Sequence, residues 1–340
     1  MENQLKKQKI ENILLVLIGR VGDYVITTPF IKTLRTKYPK AKITLLISTK
    51  AKQLALRNKD LDKVIIFENW NNILGNIKLL FLRNNKYDIA IDLNPAYSRT
   101  SIGLMYLTNA PIRLTFTKKA PKKVYTDFIE NTTLADEHFA EKYARMANFL
   151  NTDYKREMNI DVLNDDEQIA QKLLNNLNMH PDKPTIAIHP GNFKKTGHRW
   201  PEEKFVSFTK HLLKHTDANL FYLIGVGEEV VTKRNILNKL PGVKSINPVP
   251  LGPTAAVLKK IDLLICNSTG TLHISAAVGT PTFSFNTEYS LKCWKPEGKN
   301  HFHAMGTWKS CQEITVETAL ERFNEAFDYV LKHYKNKISS

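Results

Sequence analysis

The sequence predicts an α/β chain of two doubly wound halves, each a parallel sheet covered by helices. Three observations carry that prediction. Short apolar, β-branched runs alternate with helix-spaced stretches almost throughout the 340 residues. A polar, acidic segment, "NIDVLNDDEQIAQKLLNNLNMHPDKP", interrupts the alternation near the middle, and the pattern then starts again. The length itself suits two domains rather than one.

In the first half the strand candidates are "NILLVLI", "KITLLIS", "KVIIF" and "YDIAIDL", separated by helical stretches such as "TPFIKTLRTKYP" and "NNILGNIKLLFLRNN". The second half gives "TIAIHP", "NLFYLIG", "VKSINP", "DLLICN" and "PTFSFN". The boundary falls within 155–180 and divides the chain into Rossmann-like domains of 1–165 and 166–315. The closing "TVETALERFNEAFDYVLKHYKNK" has Val316, Leu320, Phe323, Phe327 and Leu331 at helical spacing. Residues 316–340 are therefore expected to form a helix that packs back on the N-terminal domain as part of a hinge. Two such domains in tandem are expected to face each other across a cleft at the carboxyl ends of their sheets, where ligands of doubly wound folds bind.

Composition narrows the function. The net charge is +16, and it is uneven: residues 1–150 hold 25 Lys/Arg against 13 Asp/Glu. A basic first half favours acidic partners such as nucleic acid, anionic lipid or phosphorylated sugar. Recognition signatures for nucleic acid, such as RNP motifs, basic heptads or zinc-finger spacings, do not occur, so no nucleic-acid partner is expected. Cys266, Cys293 and Cys311 are too few and too far apart for a disulfide framework or zinc knuckle. His301 and His303 beside Cys293 lack a second close pair, and no metal site is expected. The apolar run Ile13 to Ile18 is too short to span a bilayer and has no cleavage site after it, so a cytoplasmic, soluble protein is expected.

A dehydrogenase of this layout requires G-x-G-x-x-G after the first strand and a carboxylate about 20 positions on. Neither is present. The turn in "LLVLIGRVGDYVITTPFIKTL" runs Gly19-Arg20-Val21-Gly22-Asp23, and the second strand ends in Ser48-Thr49-Lys50. Asp23 has two readings. It caps a helix, accepting a backbone N–H, or it is a general base at the carboxyl edge of the sheet. One carboxylate has lone pairs enough for both roles.

The second half offers donors for phosphate. "CNSTGTLHISAAVGTPTFSF" passes from a strand end through Asn267-Ser268-Thr269-Gly270-Thr271 into an apolar helix. "IAIHPGNFKKTGHRWPEEKF" places Asn192, Lys194, Lys195, His198 and Arg199 in a long loop after a strand, cations suited to a pyrophosphate leaving group. "LIGVGEEVV" ends a strand in glycines with Glu228 behind them, able to accept from ribose hydroxyls or to open the next helix.

These three pieces, in this order behind "GRVGDYVITTP", resemble the ADP-heptose lipopolysaccharide heptosyltransferase family, inverting glycosyltransferases of family 9 with the two-Rossmann GT-B fold. The resemblance implies Asp23 as catalytic base, the nucleotide sugar on the C-terminal domain and the lipid-linked sugar acceptor on the N-terminal one. On the donor side it singles out Asn192, Lys194, Lys195, His198, Arg199, Glu228, Ser268, Thr269, Gly270, Thr271 and His273, with Val249 of "NPVPLGP" where the family cradles adenine. Arg20, Gly22 and Arg99 are the acceptor-side candidates. Arg99 follows a strand end in "DLNPAYSRTS", while Lys118, Lys119, Lys122 and Lys123 read as a solvated loop. No cofactor, metal or obligate protein partner is implied. The acceptor, an acidic core sugar on a lipid, implies a protein peripheral to the inner face of the cytoplasmic membrane.

Two positions depart from the family. His198 stands where members carry Lys, and Ser268 stands where many carry an Asp that meets donor-sugar hydroxyls. A neutral Ser makes a weaker contact than a charge-assisted one. The runner-up expectation is thus the same fold with another nucleotide sugar. A third is a non-catalytic protein that binds anionic glycans or nucleic acid through its basic half.

Overall fold

The computed structural model describes residues 9–72, 79, 82–119, 121–131, 137–192, 197–223, 225–226 and 229–338, with the backbone alone for Glu229 and 335–338. The chain forms two compact units, 1–161 and 162–340. The division falls four residues before the expected boundary at 165.

The first unit runs β1 (Asn12–Leu17), α1 (Val21–Lys37), β2 (Lys42–Ser48), α2 (Lys52–Ala55), β3 (Lys63–Phe67), β4 (Ile89–Asp92), α3 (Arg99–Tyr106), β5 (Ile112–Phe116), β6 (Asp127–Ile129) and α4 (Phe139–Phe149). The second runs α5 (Asn164–Asn175), β7 (Thr185–His189), α6 (Glu202–His215), β8 (Asn219–Leu223), α7 (Glu229–Asn238), β9 (Lys244–Ile246), α8 (Leu251–Lys259), β10 (Leu263–Asn267), α9 (Gly270–Ala277), β11 (Thr282–Asn286), α10 (Glu288–Trp294), β12 (His301–Met305) and α11 (Val316–Ile338). Each unit holds a six-stranded sheet, in the orders β3-β2-β1-β4-β5-β6 and β9-β8-β7-β10-β11-β12. The strands pair in parallel throughout. The two orders are the same doubly wound pattern, so the winding reverses between β1 and β4 and again between β7 and β10.

The central strands are continuous apolar runs because helices cover both faces. Ile13, Leu14, Leu15 and Val16 of β1 are wholly buried, as are Leu263, Leu264, Ile265 and Cys266 of β10. Helix α1 tolerates Pro29 in its interior. Proline lacks the N–H that Val25 O would receive, and the Thr28 hydroxyl supplies the missing donor at 2.7 Å. The same hydroxyl accepts the Asn159 N–H at 3.0 Å, which ties the last residues of the first unit to α1.

Helix α11 packs on β11, β12 and α6 within the second unit. Its buried stripe is Ala319, Phe323, Ala326 and Val330, with Leu320 and Phe327 on the flanks. Two alanines let the helix sit close to the sheet, where Phe323 meets Phe208 and Phe283 edge-on at 5.5 and 5.6 Å. The stretch "NNILGNIKLLFLRNN" lies largely outside the described residues. Among the described residues, no helix is long and apolar enough to cross a membrane.

Candidate active site

The turn that opens the first unit is short. β1 ends at Leu17 and α1 starts at Val21, so Ile18-Gly19-Arg20 makes the whole connection. Asp23 is the third residue of α1, half-buried, and its Oδ2 accepts the Arg20 N–H at 2.6 Å. That is the reach-back of a capping box, so the cap reading of Asp23 describes a real bond. The carboxylate also shapes the turn. A Cβ on Gly19 would fall 2.8 Å from Asp23 Cβ and 2.9 Å from its Oδ2, so a side chain there would displace the carboxylate. The Gly19 carbonyl is held from β2 by the Ser48 hydroxyl at 2.7 Å, and the Ile18 N–H is held from the connection after β4 by Asn94 Oδ1 at 3.0 Å. Behind this edge, the buried Tyr143 hydroxyl donates to Leu93 O at 3.0 Å. Burial first, then the charges of Asp23, Tyr154 and Asp92, hold it well above the ordinary tyrosine range, so it stays a protonated donor.

Arg20 is exposed at the N-cap of α1, Gly22 is half-buried, and Arg99 is exposed at the first position of α3, where the Ser98 hydroxyl accepts the Ser101 N–H at 3.1 Å. Arg20, Gly22, Asp23 and Arg99 therefore lie on the two connections that flank the β1/β4 reversal. The lysine run divides. Lys119, Lys122 and Lys123 are exposed, but Lys118 is not a solvated residue: its side chain is 3% exposed and paired with Asp92.

In the second unit the connections after β7 and β10 flank the corresponding reversal. Asn192 is buried, and its amide donates to His198 O at 2.8 Å and Ser268 O at 3.0 Å, joining the two loops. Arg199 Nε donates to Asn192 O. Asn267, fully buried, donates to Pro190 O at 2.7 Å and accepts the Trp200 N–H at 3.0 Å. Thr269 caps α9, its hydroxyl accepting the Thr271 N–H at 3.1 Å, with Ser268, Gly270 and Thr271 half-buried beside it. His273 lies inside, 4% exposed. Val249 is half-buried after β9, and its carbonyl accepts the Thr254 hydroxyl at 3.3 Å. Lys194, Lys195 and Glu228 lie outside the described residues.

A cavity of about 390 Å³ opens beside the β7 loop, lined by Pro190, Arg199, Glu202, Glu203, Thr232 and Gln312. Two glutamates against one arginine make it a poor seat for a diphosphate, whereas the capped N-terminus of α9 has no carboxylate in its first turn. Among the described residues no three His, Cys, Asp or Glu side chains are grouped as for a metal ion. The three cysteines are buried, and burial pushes the Cys311 thiol up to about 12 and Cys266 higher still, so neither presents a thiolate.

Sequence reasoning passed over Asp92 and Asn94, took Ser48 only as a strand end and put Lys118 in a solvated loop. Only "DLNP", an Asx-rich strand end before proline, signalled any of them.

Known proteins share this architecture. A solved family 9 glycosyl transferase from Veillonella parvula is 19% identical, with a TM-score of 0.81 over 95% of this chain and 97% of that one. E. coli ADP-heptose lps heptosyltransferase II gives 19% and 0.75 over 95% and 99%. E. coli heptosyltransferase WaaC with ADP-2-deoxy-2-fluoro heptose gives 19% and 0.69 over 92% and 99%. At such identities these likenesses establish the fold. A Haemophilus influenzae protein provisionally described as a glycosyltransferase is 25% identical over 305 residues, spanning 84% of this chain and 86% of that one. The family profile for glycosyltransferase family 9 (heptosyltransferase) matches residues 80–322, and with most of its length inside that match the chain belongs to glycosyltransferase family 9.

Proposed function

We propose that the protein is an inverting, metal-independent transferase that moves a heptose from ADP-heptose to a sugar hydroxyl of a lipid-linked lipopolysaccharide or lipooligosaccharide core acceptor. The observation that carries this reading is the seat of Asp23, a carboxylate at the β1/β4 reversal whose one oxygen is fixed by the Arg20 N–H. Asp23 takes the proton of the acceptor hydroxyl as that oxygen attacks the anomeric carbon from the face opposite the diphosphate. The C–O bond to the diphosphate breaks in the same displacement, and the configuration inverts. The departing diphosphate carries the negative charge to the α9 N-terminus, where the Gly270 N–H and the Thr269 and Thr271 hydroxyls are grouped. Arg199, Lys194 and Lys195 add cations, Val249 meets adenine, and Arg20 and Arg99 meet the acidic acceptor. The reaction sits at the inner face of the cytoplasmic membrane, where a lipid-linked acceptor is presented.

Ser268 favours one alternative. A neutral hydroxyl at the position where relatives use a carboxylate suits a donor sugar with a different hydroxyl pattern. The test is transfer by purified protein, wild type beside Asp23→Ala, from ADP-heptose and a panel of other nucleotide sugars to a truncated lipid A–Kdo acceptor. Transfer from ADP-heptose should fall by about 10²–10⁴ in the variant while nucleotide binding survives. Transfer from another donor alone discards heptose and keeps the base. If Asp23→Ala is as active as wild type, the carboxylate is a helix cap only.

A further inference from the structure

Asp92 and Lys118 form an ion pair far inside the first unit, with side chains 0% and 3% exposed. The Lys118 ammonium donates to Asp92 Oδ2 and to Asn94 O, both at 2.7 Å. The Tyr125 hydroxyl donates to the same carboxylate oxygen at 2.7 Å. Asp92 Oδ1 accepts the Asn94 backbone N–H at 3.0 Å and its side-chain amide at 2.7 Å. All of these bonds fix the orientation of one amide. Asn94 applies that amide to the end of β1, donating to Val16 O at 3.2 Å and accepting the Ile18 N–H at 3.0 Å. Ile18 is the residue before Gly19, whose missing side chain makes room for Asp23.

A buried ion pair loses much of its hydration, and an apolar pair of similar volume often stabilises a fold as well. What charge supplies in this place is geometry, because an amide between two fixed acceptors and one fixed donor has a single orientation. The charges of Asp23 and Asp92 both act on the Tyr143 hydroxyl.

We propose that Lys118, acting through Asp92 and Asn94, is the positioning residue for the turn that carries Asp23, an inference that rests on Asp23 being the base. The experiment compares wild type with Lys118→Met and with Asn94→Ala, which releases Ile18 without unpairing a buried charge and stays informative if the lysine variant fails to fold. Backbone amide exchange is read residue by residue without substrate. In the variants, exchange at Ile18 and Arg20 should quicken by about tenfold or more, while Ile43 in β2 keeps its protection. Unchanged exchange at the turn, or a uniform rise across the unit, overturns the proposal. Transfer from ADP-heptose is measured alongside. The turnover number should fall by up to about 100-fold with donor KM unchanged. The same substitutions should cost nothing more in an Asp23→Ala background, and an equal further loss there also overturns it. Wild-type turnover by Asp23→Ala itself refutes the base assignment instead, and the exchange data then still decide whether Lys118 sets the turn.

Discussion

The two units share one strand order and differ in the connection they place at the reversal. In the first, three residues connect β1 to α1 and a carboxylate sits in the opening turn of the helix. In the second, twelve residues connect β7 to α6 and carry His198 and Arg199 round to Trp200. At both reversals an asparagine stitches the strands. Asn94 binds Val16 O and the Ile18 N–H, and Asn267 binds Pro190 O and the Trp200 N–H. The scaffold therefore repeats the same stitch at both reversals, and what differs is the length of the connection it holds. The interiors differ as well. The first unit braces its edge with a buried ion pair. The second braces it with aromatic rings, Trp200 stacked on Phe285 at 4.0 Å and edge-on to Phe205 and Phe208.

That contrast is open to measurement. Trp200→Ala should have the largest effect, because the indole is 2% exposed and also donates to Ile314 O at 2.9 Å. A loss of about 3–5 kcal/mol is expected by chemical denaturation, and a loss below 1 kcal/mol would mean the rings do not brace this edge.

Acid should act on the second unit through His301, whose ring lies 3.0 Å from the Thr282 hydroxyl. Burial, and then Lys295, lower its pKa to about 4 from an ordinary 6.5. The unfolded chain takes up that proton near 6.5 and the folded chain only near 4. The contribution is therefore complete above about pH 6.5 and is lost as pH falls towards 4, a change of about 3 kcal/mol. His303 shifts in the same direction. His301→Gln should flatten most of that slope in a pH series of denaturation curves.

The glycines separate the two kinds of edge. Gly197 has φ +72° and a Cβ there would fall 2.1 Å from Lys309 O, so Gly197→Ala should cost about 1–3 kcal/mol of stability. Gly19→Ala instead pushes against the Asp23 side chain and should lower transfer about tenfold or more while the melting temperature moves little. Equal melting shifts in the two would erase the distinction. Smallest is Thr269→Ala, which removes one helix cap and should cost about 1 kcal/mol.

Most of the scaffold was legible because it repeats. The runs at β1, β2, β4, β7, β8 and β10 are mostly apolar on both faces, and such runs announce themselves. β5, "IRLTF", and β6, "DFI", were missed because one carries an arginine and the other has three residues. β12, "HFHAM", drew the eye as a histidine cluster, whereas His301 is a strand residue bonded to Thr282. The turn at Asp23 was conspicuous in the sequence because a carboxylate there contradicts a phosphate site. Its supports were not. Lys118 looks like its exposed neighbours in sequence, and only the long-range approach of β4 shows that it is paired.

One last consequence is mechanical. Thr28 repairs the gap left by Pro29 and, with the same oxygen, holds Asn159, two residues before the first unit ends. The peptide that leaves this unit is thus moored to the helix that carries Asp23. One hydroxyl thus does two jobs, closing a gap inside α1 and anchoring the peptide that leaves the unit.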